Sequence, residues 1–241
     1  MIGMGTVVNV LAIVVGGCIG LLLKGGLKES CQQAIIKSLG LCTMFLGVSG
    51  ALPGLLRTEN GLLTGVSIRE TLGMILALAL GTLIGEWIGF EAGMERLGAW
   101  LKERASHSGD NLFIQGFVTT SLTVFIGAMA IVGSIQDGLS GDPSTLFTKS
   151  ILDFLIVMIF SSAYGRGAVF SALPVGVLQG CVTLCAGLLS PVFSQPVVDN
   201  LSFLGSILIF CVGVNLAFGS KFRVANMLPS LVVGAIYTTL I

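Results

Sequence analysis

The chain has 241 residues, of which 54% are apolar and 10% are charged, and its 12 basic and 12 acidic residues balance. An average soluble domain carries about 25% charged residues, so this composition excludes an ordinary water-soluble domain. The sequence has no net charge and no run of basic residues, so nucleic acid is not expected as a partner.

Eight apolar segments, most of them near the length that crosses a bilayer, follow one another along the chain. They cover residues 6–23, 34–56, 70–90, 113–134, 150–164, 170–190, 201–219 and 224–241. The fifth is the shortest, and seven spans with a re-entrant fifth segment is the alternative. The sequence therefore predicts an all-α fold, a polytopic transmembrane helical bundle of about eight spans surrounded by the lipid bilayer.

The distribution of basic residues bears on the number of spans. With eight spans, the connections on one side carry nine Lys and Arg residues and those on the other side carry three. If the fifth segment did not cross, the two sides would carry six each. Because Lys and Arg collect on the cytoplasmic side, eight spans are favoured, with both the N-terminus and the C-terminus outside.

Three of the predicted spans carry small residues at every fourth position, which lets neighbouring helix backbones approach closely. The first interpretation is packing within the chain, and a homodimer through the third span is the second. The glycines concerned are Gly16 and Gly20 in the first span, Gly81 and Gly85 in the third, and Gly176 and Gly180 in the sixth.

The predicted spans organise the chain as a single transmembrane domain with four parts. Residues 1–90 form a first three-span unit, 91–112 an amphipathic cytoplasmic connection, 113–167 a central two-span unit, and 168–241 a last three-span unit. Two three-span units separated by two spans run in opposite directions, as in the inverted repeats of many secondary transporters. A parallel four-plus-four arrangement also fits the spacing.

Asp153 is the first candidate for a functional residue, because an ionisable side chain within a span is costly. It follows Lys149 by four residues, so the two share one helix face. One interpretation is a proton or cation site, and the other is a helix-end carboxylate paired with Lys149 near the interface.

Polar residues in or at the ends of other spans form a second set of candidates. Their side chains either line a path for an ion or small solute, or join helices through hydrogen bonds. The set comprises Asn9, Gln179 and Asn215 within spans, and Ser134 and Asp137 at the end of the fourth.

Enzyme and metal chemistry find little support in the sequence. The six cysteines form no CxxC pair and there is a single histidine, so the ligand clusters of zinc and iron–sulfur sites are missing. The predicted spans contain no histidine to activate a serine or cysteine nucleophile. We therefore expect no enzyme activity, no metal and no cofactor.

Several segments together resemble a known family. They are GTVVNVLAIVVGGCIGLLL, GTLIGEWIGFE, GFVTTSLTVFIGAMAIVGSIQDGL, KSILDF and RVANMLPSL. The chain resembles, over its whole length, the uncharacterised multi-pass bacterial inner-membrane proteins called the domain of unknown function 554 family. The resemblance implies an integral protein of the bacterial inner membrane, with transport suspected and no established substrate. It places Asn9, Gly127, Ser134, Asp137 and Asp153 within the family's motifs.

Together these features predict a transporter or channel for an ion or small solute, with its path lined by polar residues of the spans. The alternative is a non-transporting membrane scaffold or sensor that acts through helix–helix contacts with partners.

Overall fold

The computed structural model describes residues 2–24, 29–59, 62–105, 112–125, 128–189, 193–219 and 221–240. Gly127, which the family resemblance singles out, lies outside these residues. Almost all of the described chain is helical, and the predicted all-α helical bundle is confirmed.

The first half of the described chain contains four long helices and a small hairpin. The helices are α1 (Met4–Lys24), α2 (Glu29–Leu55), α3 (Ile68–Ile88) and α4 (Phe90–Ala105). The strands β1 (Leu56–Glu59) and β2 (Leu62–Val66) lie between α2 and α3 and pair antiparallel. This hairpin is not among the predicted elements, although Asn60-Gly61 between two short apolar runs is a known sequence signal for one.

The second half contains shorter helices separated by breaks. They are α5 (Phe113–Phe125), α6 (Ala128–Ser140), α7 (Ser144–Tyr164), α8 (Arg166–Val169), α9 (Ala172–Leu184), α10 (Ala186–Leu189), α11 (Gln195–Phe218), α12 (Val224–Met227) and α13 (Pro229–Leu240).

Within the described residues, six helical segments are long and apolar enough to cross a membrane, and a seventh arises if α5 and α6 count as one span. These two helices meet at a bend of 63°. The fifth predicted segment belongs to α7, a helix of 21 residues that qualifies as a span. The eighth corresponds to Val224–Leu240, which is shorter and is interrupted at Leu228, before Pro229.

The helices group into two compact units that interleave along the chain. The first unit comprises Met1–Lys37, Ala92–Phe125 and Met129–Pro191; the second comprises Ser38–Glu91, Ile126–Ala128 and Val192–Ile241. Both units therefore contain segments from each half of the sequence. The division into consecutive three-, two- and three-span parts, and the inverted repeat, stay predictions.

In the first unit, α1 lies along α7, and its small residues make this contact close. A Cβ atom at Gly16 would collide with the backbone carbonyl of Phe154, and one at Gly20 with that of Met158. The helix backbones therefore touch directly, as the small-residue spacing predicts. An apolar cluster that includes Ile13 continues the packing.

In the second unit, α3 packs against α12 and α13 in the same way. A Cβ at Gly81 would meet the backbone of Ser230, and one at Gly85 the carbonyl of Asn226. Because this face is filled by the same chain, a second copy has no access to it. At Gly81 and Gly85 the structure thus shows packing within the chain, the first of the two interpretations, and a homodimer stays a prediction.

The small residues of the sixth predicted span do not make the close helix contact that was predicted for them. A Cβ at Gly176 would touch only Val10, and one at Gly180 would meet nothing within 4 Å. The physical reason is the rotation of α9, which turns Val175 and Gln179 inward instead. Gly180 is therefore not a close-packing position among the described residues.

Candidate functional site: a buried polar column in the first unit

Four polar side chains from three helices of the first unit lie together in its interior. Asn9 comes from α1, Lys149 and Asp153 from α7, and Gln179 from α9. Asn9 and Gln179 are fully buried, while Asp153 is 3% and Lys149 5% exposed. Since α7 qualifies as a span, this is an ion pair within a membrane segment rather than a pair of surface charges.

Hydrogen bonds join the four side chains into one network. Asn9 Nδ2 donates to Asp153 Oδ2 at 2.9 Å and to Gln179 Oε1 at 3.1 Å. The ammonium group of Lys149 forms an ion pair with the same Asp153 oxygen. The carboxylate of Asp153 thus pairs with the ammonium group of Lys149 on its own helix and accepts a hydrogen bond from the amide of Asn9 on α1.

Lys149 also binds a helix end. Its Nζ donates to the backbone carbonyl of Val124 at 2.9 Å. Val124 lies in the last turn of α5, where carbonyl groups have no partner within the helix and carry partial negative charge. The C-terminal end of α5 therefore supplies a second acceptor for the ammonium group. Broken helices with exposed carbonyls are the usual way in which transporters hold ions inside a membrane.

The polar contacts continue by one more helical turn towards the start of α1. Thr6 and Thr183 lie next to Asn9 and Gln179 on α1 and α9, and their hydroxyl oxygens are 3.3 Å apart. Both side chains are buried. We call the six residues Thr6, Asn9, Lys149, Asp153, Gln179 and Thr183 the polar column.

The side chain of Asp137, on α6, lies beside the start of α1. It contacts Gly5, the residue that precedes Thr6. Its carboxylate is fully buried, and Oδ2 accepts the backbone N–H of Gly5 at 3.0 Å. The carboxylate thus caps the N-terminal turn of a helix from another part of the chain, where the helix dipole favours negative charge. Ser134, one turn earlier on α6, donates to the carbonyl of Ala130 and belongs to the helix rather than to the column.

Several buried polar atoms in the first unit have no hydrogen-bond partner among the described residues. A buried polar atom without a partner costs about 1–3 kcal/mol, and native proteins rarely leave one unmatched. In native proteins, atoms of this kind are often matched by an ordered water molecule or a bound polar group. They are Asn9 Oδ1, Gln179 Nε2, Asp137 Oδ1, Thr120 Oγ1 and Ser121 Oγ.

Asn215 has a different role from the one predicted. It belongs to α11 in the second unit, and its Oδ1 accepts the backbone N–H groups of Lys221 and Phe222 at 2.8 and 2.9 Å. Its Nδ2 donates back to the Phe222 carbonyl at 2.7 Å. The side chain therefore holds the connection between α11 and α12, and the structure does not bring it into the polar column.

Asn9, Asp153 and Gln179 were predicted from the sequence as candidate residues, whereas Thr6 and Thr183 were not. The available signal was their spacing: Thr6 precedes Asn9 by three residues and Thr183 follows Gln179 by four. Such positions share a helix face.

Among the described residues, no three His, Cys, Asp or Glu side chains lie close enough together to hold a metal ion.

The apolar spans and the buried ion pair define a multi-pass helical membrane protein. Comparison with known proteins then shows that the chain belongs to the family described as "Protein of unknown function (DUF554)", whose model matches residues 4–239. The resemblance found in the sequence is thereby confirmed.

Two curated relatives extend over nearly the whole chain. "Uncharacterized protein YqgA" of Escherichia coli (strain K12) is 29% identical over 231 residues, which cover 94% of this chain and 92% of the relative. "Uncharacterized membrane protein YdfK" of Bacillus subtilis (strain 168) is 28% identical over 229 residues, covering 95% and 93%. No solved structure matches the chain significantly.

Proposed function

We propose that this protein is a transporter or channel for an ion or small polar solute in the bacterial inner membrane, and that its path follows the polar column. The observation that carries the proposal is the buried Lys149–Asp153 pair, joined by Asn9 to Gln179. We propose neither catalysis nor a cofactor.

A purely structural role explains this pair poorly. Removing two charges from water costs several kcal/mol per ion, and well-packed apolar residues in their place are often equally or more stable. The pair is also linked through Asn9 of α1 to Gln179 of α9, so polar groups of three helices meet at this one place. Ionisable groups retained at this cost inside a membrane typically mark an ion or proton pathway.

The chemistry of the column suits an ion or polar solute. Asn9 Oδ1 offers an acceptor and Gln179 Nε2 a donor, each without a partner among the described residues. Asp153 and Lys149 can exchange a proton or separate when a charged species arrives, because each keeps a second polar contact. The proton is therefore the first ion to test, followed by Na⁺.

Purified protein in liposomes tests this proposal through ion flux compared with empty vesicles. The alternative, a scaffold or sensor without transport, requires a helix face for partners. The glycine face of α3 is occupied within the chain, so that alternative and a homodimer both require another surface.

We further propose that both termini face the outside of the inner membrane, since this places most Lys and Arg residues in the cytoplasm. Alkaline phosphatase fused after residue 240 is then expected to be active, and a green fluorescent protein at the same position dark. Fusions after Arg104, in the predicted cytoplasmic connection, serve as the matched control and are expected to give the reverse. A fluorescent C-terminal fusion would contradict this orientation.

A further inference from the structure

An apolar cluster borders the polar column on one side, within the first unit. Each of three helices contributes a residue of the column and, four positions away on the same helix face, a residue of this cluster. The pairs are Asn9 and Ile13 on α1, Asp153 and Val157 on α7, and Gln179 and Val175 on α9. The cluster thus lies one helical turn, about 5.4 Å, from the amide and carboxylate groups of the column.

The end of α5 belongs to both features. The backbone carbonyl of Val124 accepts the hydrogen bond from Lys149, whereas its side chain is part of the apolar cluster. We call Ile13, Val124, Val157 and Val175 the apolar layer. Each of the four is at most 2% exposed, so their side chains fill the space between α1, α5, α7 and α9.

Polar contacts return on the far side of the apolar layer, again after one helical turn. Ser161 follows Val157 by four residues on α7, and Gly17 follows Ile13 by four residues on α1. The hydroxyl group of Ser161 donates to the carbonyl of Gly17 at 2.8 Å. A polar contact therefore joins α1 to α7 on each side of the layer.

Two more hydroxyl groups lie on α5, one turn before Val124. Thr120 and Ser121 are buried, and neither hydroxyl has a hydrogen-bond partner among the described residues. Ser134 and Ser150 of the same unit, by contrast, each donate to a carbonyl of their own helix. Because the hydroxyl groups of Thr120 and Ser121 hold no neighbouring helix, helix packing does not explain their burial.

An ordinary apolar core explains this order of layers less well than a barrier in a polar path. Ile13 lies near the middle of α1, and Val175 near the middle of the span Arg166–Leu184, where the distance to water is greatest on both sides. Polar groups flank the layer although buried polar groups are costly there. An ion that enters the layer leaves the polar contacts of the column, and an apolar constriction holds back ions by excluding water.

We propose that the apolar layer is the gate of the transport path and that this structure holds the gate closed. The polar column lies on one side of the gate, and the hydroxyl groups of Thr120, Ser121 and Ser161 continue the path on the other. This inference rests on the proposed transport function and adds to it the residues that keep the path shut.

A polar substitution in the gate tests the proposal, because it is expected to raise flux rather than abolish it. Val157→Ser places a hydroxyl group in the layer, and that group can bond to its own helix, as Ser150 does on α7. In proteoliposomes under an imposed proton or Na⁺ gradient, we expect this variant to leak at least about tenfold faster than the wild type. Val175→Ser makes the same test from α9 if Val157→Ser does not fold.

Three further variants separate opening of the gate from general damage. Val157→Ile keeps the layer apolar and is expected to leave flux at or below the wild-type level. Val212→Ser places a hydroxyl group at a buried apolar position of α11, in the second unit, and is expected to leave flux unchanged. Adding Asp153→Asn to Val157→Ser is expected to remove the extra flux, because the leak still passes through the polar column.

The outcomes distinguish the gate from the transport path itself. A folded Val157→Ser protein with wild-type flux would overturn the gate and leave the transport proposal in place, and so would an equal leak through Val212→Ser. If neither the wild type nor the serine variants move ions above empty vesicles, the transport proposal fails and the gate fails with it.

Discussion

Replacing Lys149 by methionine is expected to lower the free energy of unfolding by about 3–5 kcal/mol, because it leaves a buried carboxylate without its counter-charge. The double variant Lys149→Met/Asp153→Leu removes both charges and is expected to return close to wild-type stability. Unfolding by SDS titration from detergent micelles measures both changes. The matched control is Lys221→Met, since Lys221 is exposed in the connection between α11 and α12 and a surface substitution has little effect.

This pair of variants separates structure from function. If the pair serves the transport path, the double variant is folded and has lost flux. A Lys149→Met protein as stable as the wild type would contradict the buried ion pair, since the charge would then not be buried. A double variant that keeps wild-type flux would contradict the role of the pair in the path.

The second large effect is expected at Gly85, where a leucine side chain would be forced against the backbone carbonyl of Asn226. Overpacking a close contact costs about 1–3 kcal/mol, and a backbone group gives way least, so we expect about 3 kcal/mol. Gly85→Leu should then yield little monodisperse protein in size-exclusion chromatography.

Gly180→Leu is the control for this substitution, because a Cβ at Gly180 meets nothing within 4 Å. It is expected to behave like the wild type. A folded, monomeric Gly85→Leu protein obtained from a dimeric wild type would contradict the close contact within the chain. This result would instead support the homodimer through α3 that the sequence suggested.

The sequence predicted the class of fold because hydropathy alone identifies helices that face lipid. It left the depth of Asp153 open because the apolar segment begins at residue 150, whereas α7 begins at Ser144. The first turns of α7, which include Thr145 and Lys149, are helical, but they are too polar to be counted in the apolar segment. This earlier start places Asp153 in the third turn of α7 rather than near its end.

The hydropathy pattern does not predict contacts between residues that are far apart in the sequence. Asn9 and Gln179 are separated by 170 residues, and Thr6 and Thr183 by 177. Asn215 and Asn9 look alike in sequence, each an amide within an apolar run. Asn215 lies near the short connection after α11 and bonds to its backbone. Asn9 faces neighbouring helices and bonds to their polar side chains.

Flux through proteoliposomes under imposed proton and Na⁺ gradients is the most direct measurement. Wild type, Asp153→Asn and Asp142→Asn are compared with empty vesicles. Asp142 is a matched control outside the spans, where the backbone N–H of Ser144 lowers the pKa of its carboxylate, so that substitution removes a charge present at neutral pH.

We expect flux above empty vesicles for wild type and Asp142→Asn, and a loss of at least about tenfold for Asp153→Asn, the factor that 1.4 kcal/mol in a barrier produces. Folded wild-type protein that moves no ion above background, or an Asp153→Asn protein with undiminished flux, would contradict the proposed path.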